Sequence, residues 1–376
     1  MNSSDQTMKE SENLTKLSTT LLDVSFPVDF MDITIKSDQN LLDALKQMDA
    51  LEKKLLIVVD RNEYRGLLSA GDIQRAIIKN KSLDTTISKV LRKKIRIARP
   101  ADSFEKVRRM MLTYRMEFCP VVNQDNKIIK IYYWEDLFKD IEKPPVAKFD
   151  LPVVVMAGGF GTRLRPLTSV LPKPLIPIGK KTIVEEIFDR FANHGCRRFY
   201  VSLNYKAELI EYYLKNENLP YDLIFVKEDM PMGTGGCLSL LKDRINKTFF
   251  VNNCDILIDH DYSEILDFHY KNKNEITIVA ALKHYSIPYG TLETGNNGQL
   301  LDLAEKPELT FKINSGMYLL EPHLLKEIPE NQFFHITQLI EMIKNRKGKI
   351  GVFPVSEGSW KDIGEAHLLK HTWDKG

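Results

Sequence analysis

The stretch Ala157-Gly-Gly-Phe-Gly-Thr-Arg-Leu-Arg-Pro-Leu-Thr168, followed by Pro172-Lys-Pro-Leu-Ile-Pro177, orders glycines, a guanidinium and an ammonium as a phosphate site would need them. Gly158, Gly159 and Gly161 omit side chains where backbone N–H groups can close around phosphate oxygens. Arg163 offers a planar fork for the β- and γ-phosphates, and Lys173 a compact charge for an α-phosphate. Pro172 and Pro174 restrict the backbone on either side of Lys173 and so help to aim it. No Gly-Lys-Ser/Thr closes the loop, so it is not a P-loop. The glycine spacing also departs from the dinucleotide fingerprint, whose third glycine follows the second by three residues. A glycine-rich turn with incidental basic residues would account for the glycines. It would not account for Arg163 and a proline-flanked Lys173 in the same order.

The elements that must hold these groups can be read around them. Val153–Met156 is a short continuous apolar run, as a strand buried on both faces should be. After the glycine loop the pattern predicts a helix near 182–194, a strand at Arg198–Leu203 and a helix at Ala207–Lys215. Alternation of this kind implies a largely parallel α/β sheet with ligands at the carboxyl ends of its strands.

Taken together, residues 151–364 resemble the sugar-1-phosphate nucleotidyltransferases, the enzymes that make nucleotide sugars. The resemblance implies a Rossmann-like, GT-A-like α/β domain with a mixed, mostly parallel sheet. It implies that Ala157, Gly158, Gly159, Gly161 and Thr162 bind a nucleoside triphosphate and that Lys173 contacts the reacting phosphates. Glu228-Asp-Met-Pro-Met-Gly-Thr-Gly-Gly236 corresponds to the family's base-recognition loop, with Glu228, Gly233 and Thr234 as nucleotide contacts. A carboxylate accepts from ring N–H groups, of which guanine presents two and uracil or thymine one, so Glu228 leans towards guanine. A solvated charge at a strand end is the other reading of Glu228.

Asp255, closing the strand Phe249-Phe-Val-Asn-Asn-Cys-Asp255, matches the family's Mg²⁺ ligand, and Asp362 of Trp360-Lys-Asp-Ile-Gly364 matches a second. The family often has Gly where Cys254 stands, a departure that a small side chain accommodates. Two carboxylates with phosphate oxygens and waters form the hard oxygen set that Mg²⁺ prefers. Either aspartate alone could equally be a turn residue or helix cap. On the sugar side the resemblance points to Gly290, Glu305, Lys306 and Asn314, with a solvated surface pair as the alternative for Glu305 and Lys306. His194, His269, His284 and His335 fall at no metal or triad spacing, and packing or surface roles are expected of them. A sugar phosphate is already ionised near neutral pH and is its own nucleophile, so the implied catalysis is alignment and charge screening.

Upstream, residues 25–142 state one pattern twice. Leu41, Ala44 and Met48 share a helical face, and Phe104, Val107 and Met111 repeat that spacing 63 positions later. Leu55–Val59 and Pro120–Val122 follow as strands, and each copy closes with a strand running into a helix at Asp72 and Asp136. Two β-α-β-β-α units in tandem resemble a CBS pair, a module that often senses adenine nucleotides. The resemblance gives Ser69 and Asp72 as a candidate ribose site, whereas Tyr133 breaks the matching pattern before Asp136. Helix capping by both aspartates is the competing account. Residues 1–24 read as a flexible polar tail, with a short amphipathic helix from Leu14 as the alternative. Residues 143–151, which include Lys143-Pro-Pro145, read as a linker before a domain spanning 152–376.

The composition narrows the partners. With 53 Lys plus Arg against 51 Asp plus Glu, the net charge of +2 argues against nucleic acid or an anionic membrane as a general ligand. No apolar run reaches the roughly 18 residues of a membrane span, and the polar start is no secretory signal, so a cytoplasmic location is expected. Cys119, Cys196, Cys237 and Cys254 form no CxxC pair and suggest neither disulfides nor zinc. Twelve residues after Gly364 leave no room for the hexapeptide-repeat acyltransferase domain of some relatives, so acetylation is not expected. A CBS pair ahead of this domain resembles guanylyltransferases acting on glucosamine 1-phosphate in bacterial pathways to nonulosonic acids such as legionaminic acid. The expected substrates are therefore GTP and glucosamine 1-phosphate, with Mg²⁺ as cofactor, a regulatory nucleotide at the CBS pair and a homo-oligomeric assembly. Uridylyl or thymidylyl transfer to glucose 1-phosphate is the nearest rival. A sensor that binds nucleotide without turnover is the rival from another class.

Overall fold

In the computed structural model, which describes residues 31–92, 96–138 and 146–364, the N-terminal repeat is built as the sequence pattern predicts. The tail at 1–24, the Lys-Pro-Pro of the expected linker and residues after 364 lie outside the described residues. β1 (Thr34–Lys36) leads to α1 (Leu41–Ala50), then β2 (Leu55–Asp60), β3 (Glu63–Ser69) and α2 (Ala70–Ile78). Asn40 starts α1 by a reciprocal box: its Oδ1 accepts from Asp43 N at 2.8 Å while Asp43 Oδ2 accepts from Asn40 N at 3.2 Å. Leu41, Ala44, Leu45 and Met48 then form the buried face. β2 pairs parallel to β1 and antiparallel to β3.

The second copy is more economical. Its first strand is reduced to a parallel bridge between Ala98 and Val121, ahead of α3 (Phe104–Tyr114) and the antiparallel pair β4 (Phe118–Val122) and β5 (Ile128–Tyr133). Val107 and Met111 are buried as their spacing predicts, but Phe104 is 45% exposed. It stands at the first position of α3, directly after the Ser103 cap, and meets Tyr132 edge-on. The copies pack on each other through Ile57, Tyr64, Phe118, Val122 and Ile131, with Tyr64 N donating to Asn126 O at 2.7 Å.

A second compact unit begins at Val146. Its centre is a seven-stranded sheet of β6 (Val153–Met156), β7 (Arg198–Leu203), β8 (Asp222–Lys227), β9 (Phe249–Asn253), β10 (Ile276–Ser286), β11 (Glu308–Leu320) and β12 (Ile350–Val355). The order across it is β8-β7-β6-β9-β11-β10-β12, and only β11 runs against its neighbours. Val153 and Val155 pack into one apolar cluster and Val154 into the other, so β6 is buried on both faces. α4 (Ile183–Ala192) and α5 (Ala207–Asn216) supply one cover, and α7 (Ile336–Asn345) lies in the opposite cluster, with α6 (Tyr262–Asn272) between β9 and β10 in the chain. Thr182 and Glu185 box the start of α4.

The strand order sets the site. From β6 the chain builds outward through β7 and β8, then returns to lay β9 on the other side of β6. That reversal opens a crevice at the carboxyl ends of β6 and β9, where α/β sheets place ligands. A separate antiparallel pair, Ile256–Ile258 with Trp360–Asp362, sets Ile256 opposite Asp362. Beyond the sheet, β10 and β11 extend as an arm carrying the hairpin Thr291–Thr294 and Leu300–Ala304. No helix among the described residues is long and apolar enough to cross a membrane.

Candidate active site

Gly158 through Arg163 line a cavity of about 350 Å³ at the β6–β9 crevice. Ala157 does not line it: fully buried, it donates its N–H to Ser202 O at 2.9 Å and roots the loop. The three glycines answer three different demands. Gly161 has φ +62°, and a Cβ there would meet Thr168 Cγ2 at 2.9 Å, while Thr168 Oγ1 donates to Gly161 O at 2.8 Å. At Gly158 a Cβ would come within 2.9 Å of Glu228 Oε1. At Gly159 it would meet nothing within 4 Å, so that missing side chain is open space in the cavity wall.

Four charged groups converge beside this loop. Lys173 is nearly buried, and its Nζ donates to Asp255 Oδ2. Arg163 reaches both carboxylates with its fork, at 3.2 Å to Asp255 Oδ2 and 3.2 Å to Asp362 Oδ2. Local backbone fixes the anions: Ile363 N donates to Asp255 O at 2.9 Å and Gly364 N to Asp362 Oδ1 at 2.8 Å. Gly364 is a site residue that sequence reasoning quoted without a role. A Cβ on it would stand 2.5 Å from Lys173 Nζ, 2.7 Å from Asp362 Oδ1 and 2.9 Å from Asp255 Oδ2.

The donor set fits a hard divalent cation. Two carboxylates converge on one guanidinium and offer the oxygen donors such an ion takes. Burial, with the Asp255 charge next to it, pushes the Cys254 thiol up to about 12, so no thiolate forms there near neutral pH. Cys119, Cys196 and Cys237 are likewise buried free thiols, pushed up to about 12, 11 and 12 by burial.

Glu228 also lines the cavity, half-buried and hydrogen-bonded through both carboxylate oxygens. Its Oε1 accepts from Ser202 Oγ at 2.5 Å, its Oε2 from Met232 N at 3.0 Å, and Asn204 Nδ2 donates to its carbonyl at 3.0 Å. A carboxylate has about four lone-pair sites, so capacity remains for a ligand. Gly233 and Thr234 line the cavity too. The glycine at 233 is required by protein packing, since with φ +74° its Cβ would meet Phe334 O at 2.8 Å.

The proposed sugar residues lie apart from the phosphate group. None of Gly290, Glu305, Lys306 and Asn314 lines the cavity: the first three lie in the segment between β10 and β11, and Asn314 sits in β11 opposite Ala280. Gly290 and Glu305 do meet, with a Cβ on the glycine 2.9 Å from Glu305 Oε2. Glu305 and Lys306 are exposed, and Lys306 sits at φ +47°. Asn314 donates to Tyr318 Oη at 2.8 Å and accepts from Gly316 N at 3.2 Å.

Residues 152–372 match the family model described as nucleotidyl transferase. The chain belongs to this family. Residues 28–79 and 87–143 match the CBS domain, so the nucleotidyl transferase domain follows a tandem CBS pair. Among relatives, mannose-1-phosphate guanylyltransferase catalytic subunit beta of Drosophila melanogaster is 36% identical over 182 residues, covering 46% of this chain and 49% of that protein. Mannose-1-phosphate guanyltransferase of Yarrowia lipolytica is 32% identical over 220 residues, covering 56% of this chain and 60% of that one. The chain thus spans about half the length of the first relative and three-fifths of the second. A crystal structure of HddC from Yersinia pseudotuberculosis complexed with GMP-PN has 25% sequence identity and a TM-score of 0.46, covering 60% of this chain and 99% of that one.

Within the CBS pair, Ser69 and Asp72 are joined at the start of α2. Asp72 Oδ2 accepts from Ser69 N at 3.0 Å and Ser69 Oγ at 2.6 Å, and Ser69 Oγ accepts from Asp72 N at 3.3 Å. Asp72 Oδ1 accepts from Arg75 at 2.6 Å and from Arg92 Nε. Burial works to raise the Asp72 carboxyl, but the bonds from Ser69, Arg92 and Arg75 together hold it below its ordinary value. Asp136 makes no such box: its helix, Trp134–Leu137, starts at Tyr133 without a side-chain cap. In the nucleotidyl transferase domain, the residues that sequence reasoning missed are Ser202, which orients Glu228, and two cavity-lining aromatics, Phe160 and Phe333. Phe160 was visible inside the glycine motif. Ser202 and Phe333 carry no local signal.

Proposed function

We propose that the nucleotidyl transferase domain joins a nucleoside triphosphate to a sugar 1-phosphate. A phosphate oxygen of the sugar attacks the α-phosphorus, the α–β phosphoanhydride bond breaks, and pyrophosphate leaves with that electron pair. The convergence of Arg163, Lys173, Asp255 and Asp362 beside an open glycine wall is the observation that carries this reading. Lys173 and Arg163 neutralise charge on the α-phosphate and leaving group, and Gly158, Gly159 and Gly161 let the backbone close on the phosphates. Asp255 and Asp362 would hold Mg²⁺, which supplies Lewis-acid charge stabilisation.

GTP is the proposed donor, supported by the hydrogen-bonded Glu228 and by the guanylyltransferase names of the relatives. Glucosamine 1-phosphate is the proposed acceptor, on the resemblance of the CBS-first arrangement. Mannose 1-phosphate is the second reading, because it stands in the names of both relatives. Glu305 would accept from sugar hydroxyls or an amine, Lys306 would neutralise the sugar phosphate, and Gly290 and Asn314 would shape the sugar's approach. Pyrophosphate release from GTP, UTP and dTTP against glucosamine, mannose and glucose 1-phosphates tests both halves. Silence across the panel would favour a non-catalytic nucleotide sensor, and turnover with UTP or dTTP alone would overturn the role of Glu228.

For the CBS pair we propose a regulatory nucleotide near Ser69 and Asp72, where Arg75 and Arg92 offer positive charge to phosphates. A ribose there would compete with Ser69, Arg75 and Arg92 for the Asp72 oxygens. Titration calorimetry of the full chain with AMP, ATP and GMP reads such binding, and sedimentation checks the expected homo-oligomer.

A further inference from the structure

We propose that Phe333 is the surface on which the nucleotide base stacks. The inference rests on the reading of the cavity as a nucleotide site and adds the residue that grips the face of the base. Phe333 is 58% exposed yet lines the cavity together with Glu228 and Gly233. Its ring lies against the base loop, with Cε2 3.4 Å from the Cβ position of Gly233. The neighbouring Phe334 is only 6% exposed and belongs to the apolar cluster beneath, so the pair splits one ring to the core and one to the cavity.

The platform is rigid. Phe334 N donates to Met232 O at 2.9 Å, and Phe334 O accepts from both Gly235 N and Gly236 N at 2.9 Å. Gly235 and Gly236 are glycines for this contact: a Cβ on either would stand 2.7 Å from Ile336 N or 2.6 Å from Gln332 O. Ile336 N donates to Thr234 Oγ1 at 3.3 Å, and the Phe333 ring packs at 81° to His335 with centroids 4.8 Å apart. A ring fixed by its own loop loses little freedom when a flat ligand covers it. Edge and face are thereby read by different residues. Glu228 meets the donors that differ between bases, whereas every base has a π-face for Phe333.

The test compares the full chain with Phe333→Ala, Phe333→Trp and Glu228→Gln, using GTP, UTP and the purine analogue 2-aminopurine riboside triphosphate, whose emission falls on stacking. Phe333→Ala is expected to weaken binding of GTP and UTP alike, by about tenfold, to abolish the emission loss, and to leave Tm near wild type. Phe333→Trp should restore both affinity and quenching. Glu228→Gln should instead change the ratio of GTP to UTP affinity. Unchanged affinity or quenching in Phe333→Ala would overturn the stacking role and leave the nucleotide site standing. A lowered Tm without rescue by Trp would make Phe333 a packing residue and overturn it as well. Failure of the wild-type chain to bind any of the three triphosphates would remove the nucleotide site itself.

Discussion

Lys173 is nearly buried, and its ammonium, with Arg163, balances two carboxylates. Lys173→Ala keeps the Arg163 contacts to both anions, so the fold should survive while the charge proposed to face the α-phosphate is lost. Removing one such contact commonly costs about 2.7–4 kcal/mol of transition-state stabilisation, or roughly 10²- to 10³-fold in kcat. Pyrophosphate release at saturating substrates reads this directly, and full turnover would end the assignment. The glycines make a sharper pair. Gly159→Ala adds a methyl to open cavity wall and should spare Tm while weakening triphosphate binding. Gly161→Ala puts a Cβ at φ +62° and against Thr168, which should lower stability by about 1–2 kcal/mol and so lower Tm. At this scale the sequence was most legible where chemistry and backbone coincide in one short motif. Glycines, Arg163 and Lys173 were read together from one motif, and the structure gathers them along one cavity. Phe333 was illegible for the opposite reason, since an aromatic in a polar stretch acquires meaning only when a distant loop closes over it.

Histidine at the element scale is a packing device. His194 ends the stretch after α4, stacked between Phe149 and Tyr262, with Tyr262 N donating to its Nε2 at 3.4 Å and its Nδ1 facing Ala147 O at 3.3 Å. Burial lowers its pKa against the weaker opposing pull of Asp261. His269 on α6 is lowered by burial too, with Glu321 opposing. Burial thus favours the neutral form of both rings in the folded chain. Their contribution is therefore complete above the unfolded value, about 6.5, and is lost as pH falls through the lower folded values. Thermal melts at pH 7.5 and 5.5 should show a drop in Tm, flattened in a His194→Gln, His269→Gln double variant. A double variant with the wild-type slope would reject the idea. The start of α4 near 182 was legible from helical spacing, and the structure shows Thr182 and Glu185 boxing it by side chains three positions apart. The exposed Phe104 was not, because helical spacing cannot tell a buried first turn from a fraying one.

At the level of the whole molecule each of the two units has an apolar cluster of its own among the described residues. Unfolding followed by calorimetry should accordingly depart from a single two-state transition. GTP at a hundred times its Kd should add about 2.7 kcal/mol to the unit that binds it tightly. One undivided transition that shifts as a whole would contradict this. Sequence reasoning reached the repeat and the alternation of strands and helices, since both are periodic. It could not reach the order β8-β7-β6-β9-β11-β10-β12, which long-range pairing decides.

The pairing of Ile256 with Asp362 has a consequence for how the molecule is born. Chains emerge from the ribosome N-terminus first, and Asp362 comes after Val355, where the last strand of the central sheet ends. A nascent polypeptide halted between those two residues would carry every strand of that sheet and yet leave Arg163 with one anion to grip. On the proposed role of Asp362, translation must pass residue 362 before the site is complete, so a premature stop just upstream should yield a product that releases no pyrophosphate.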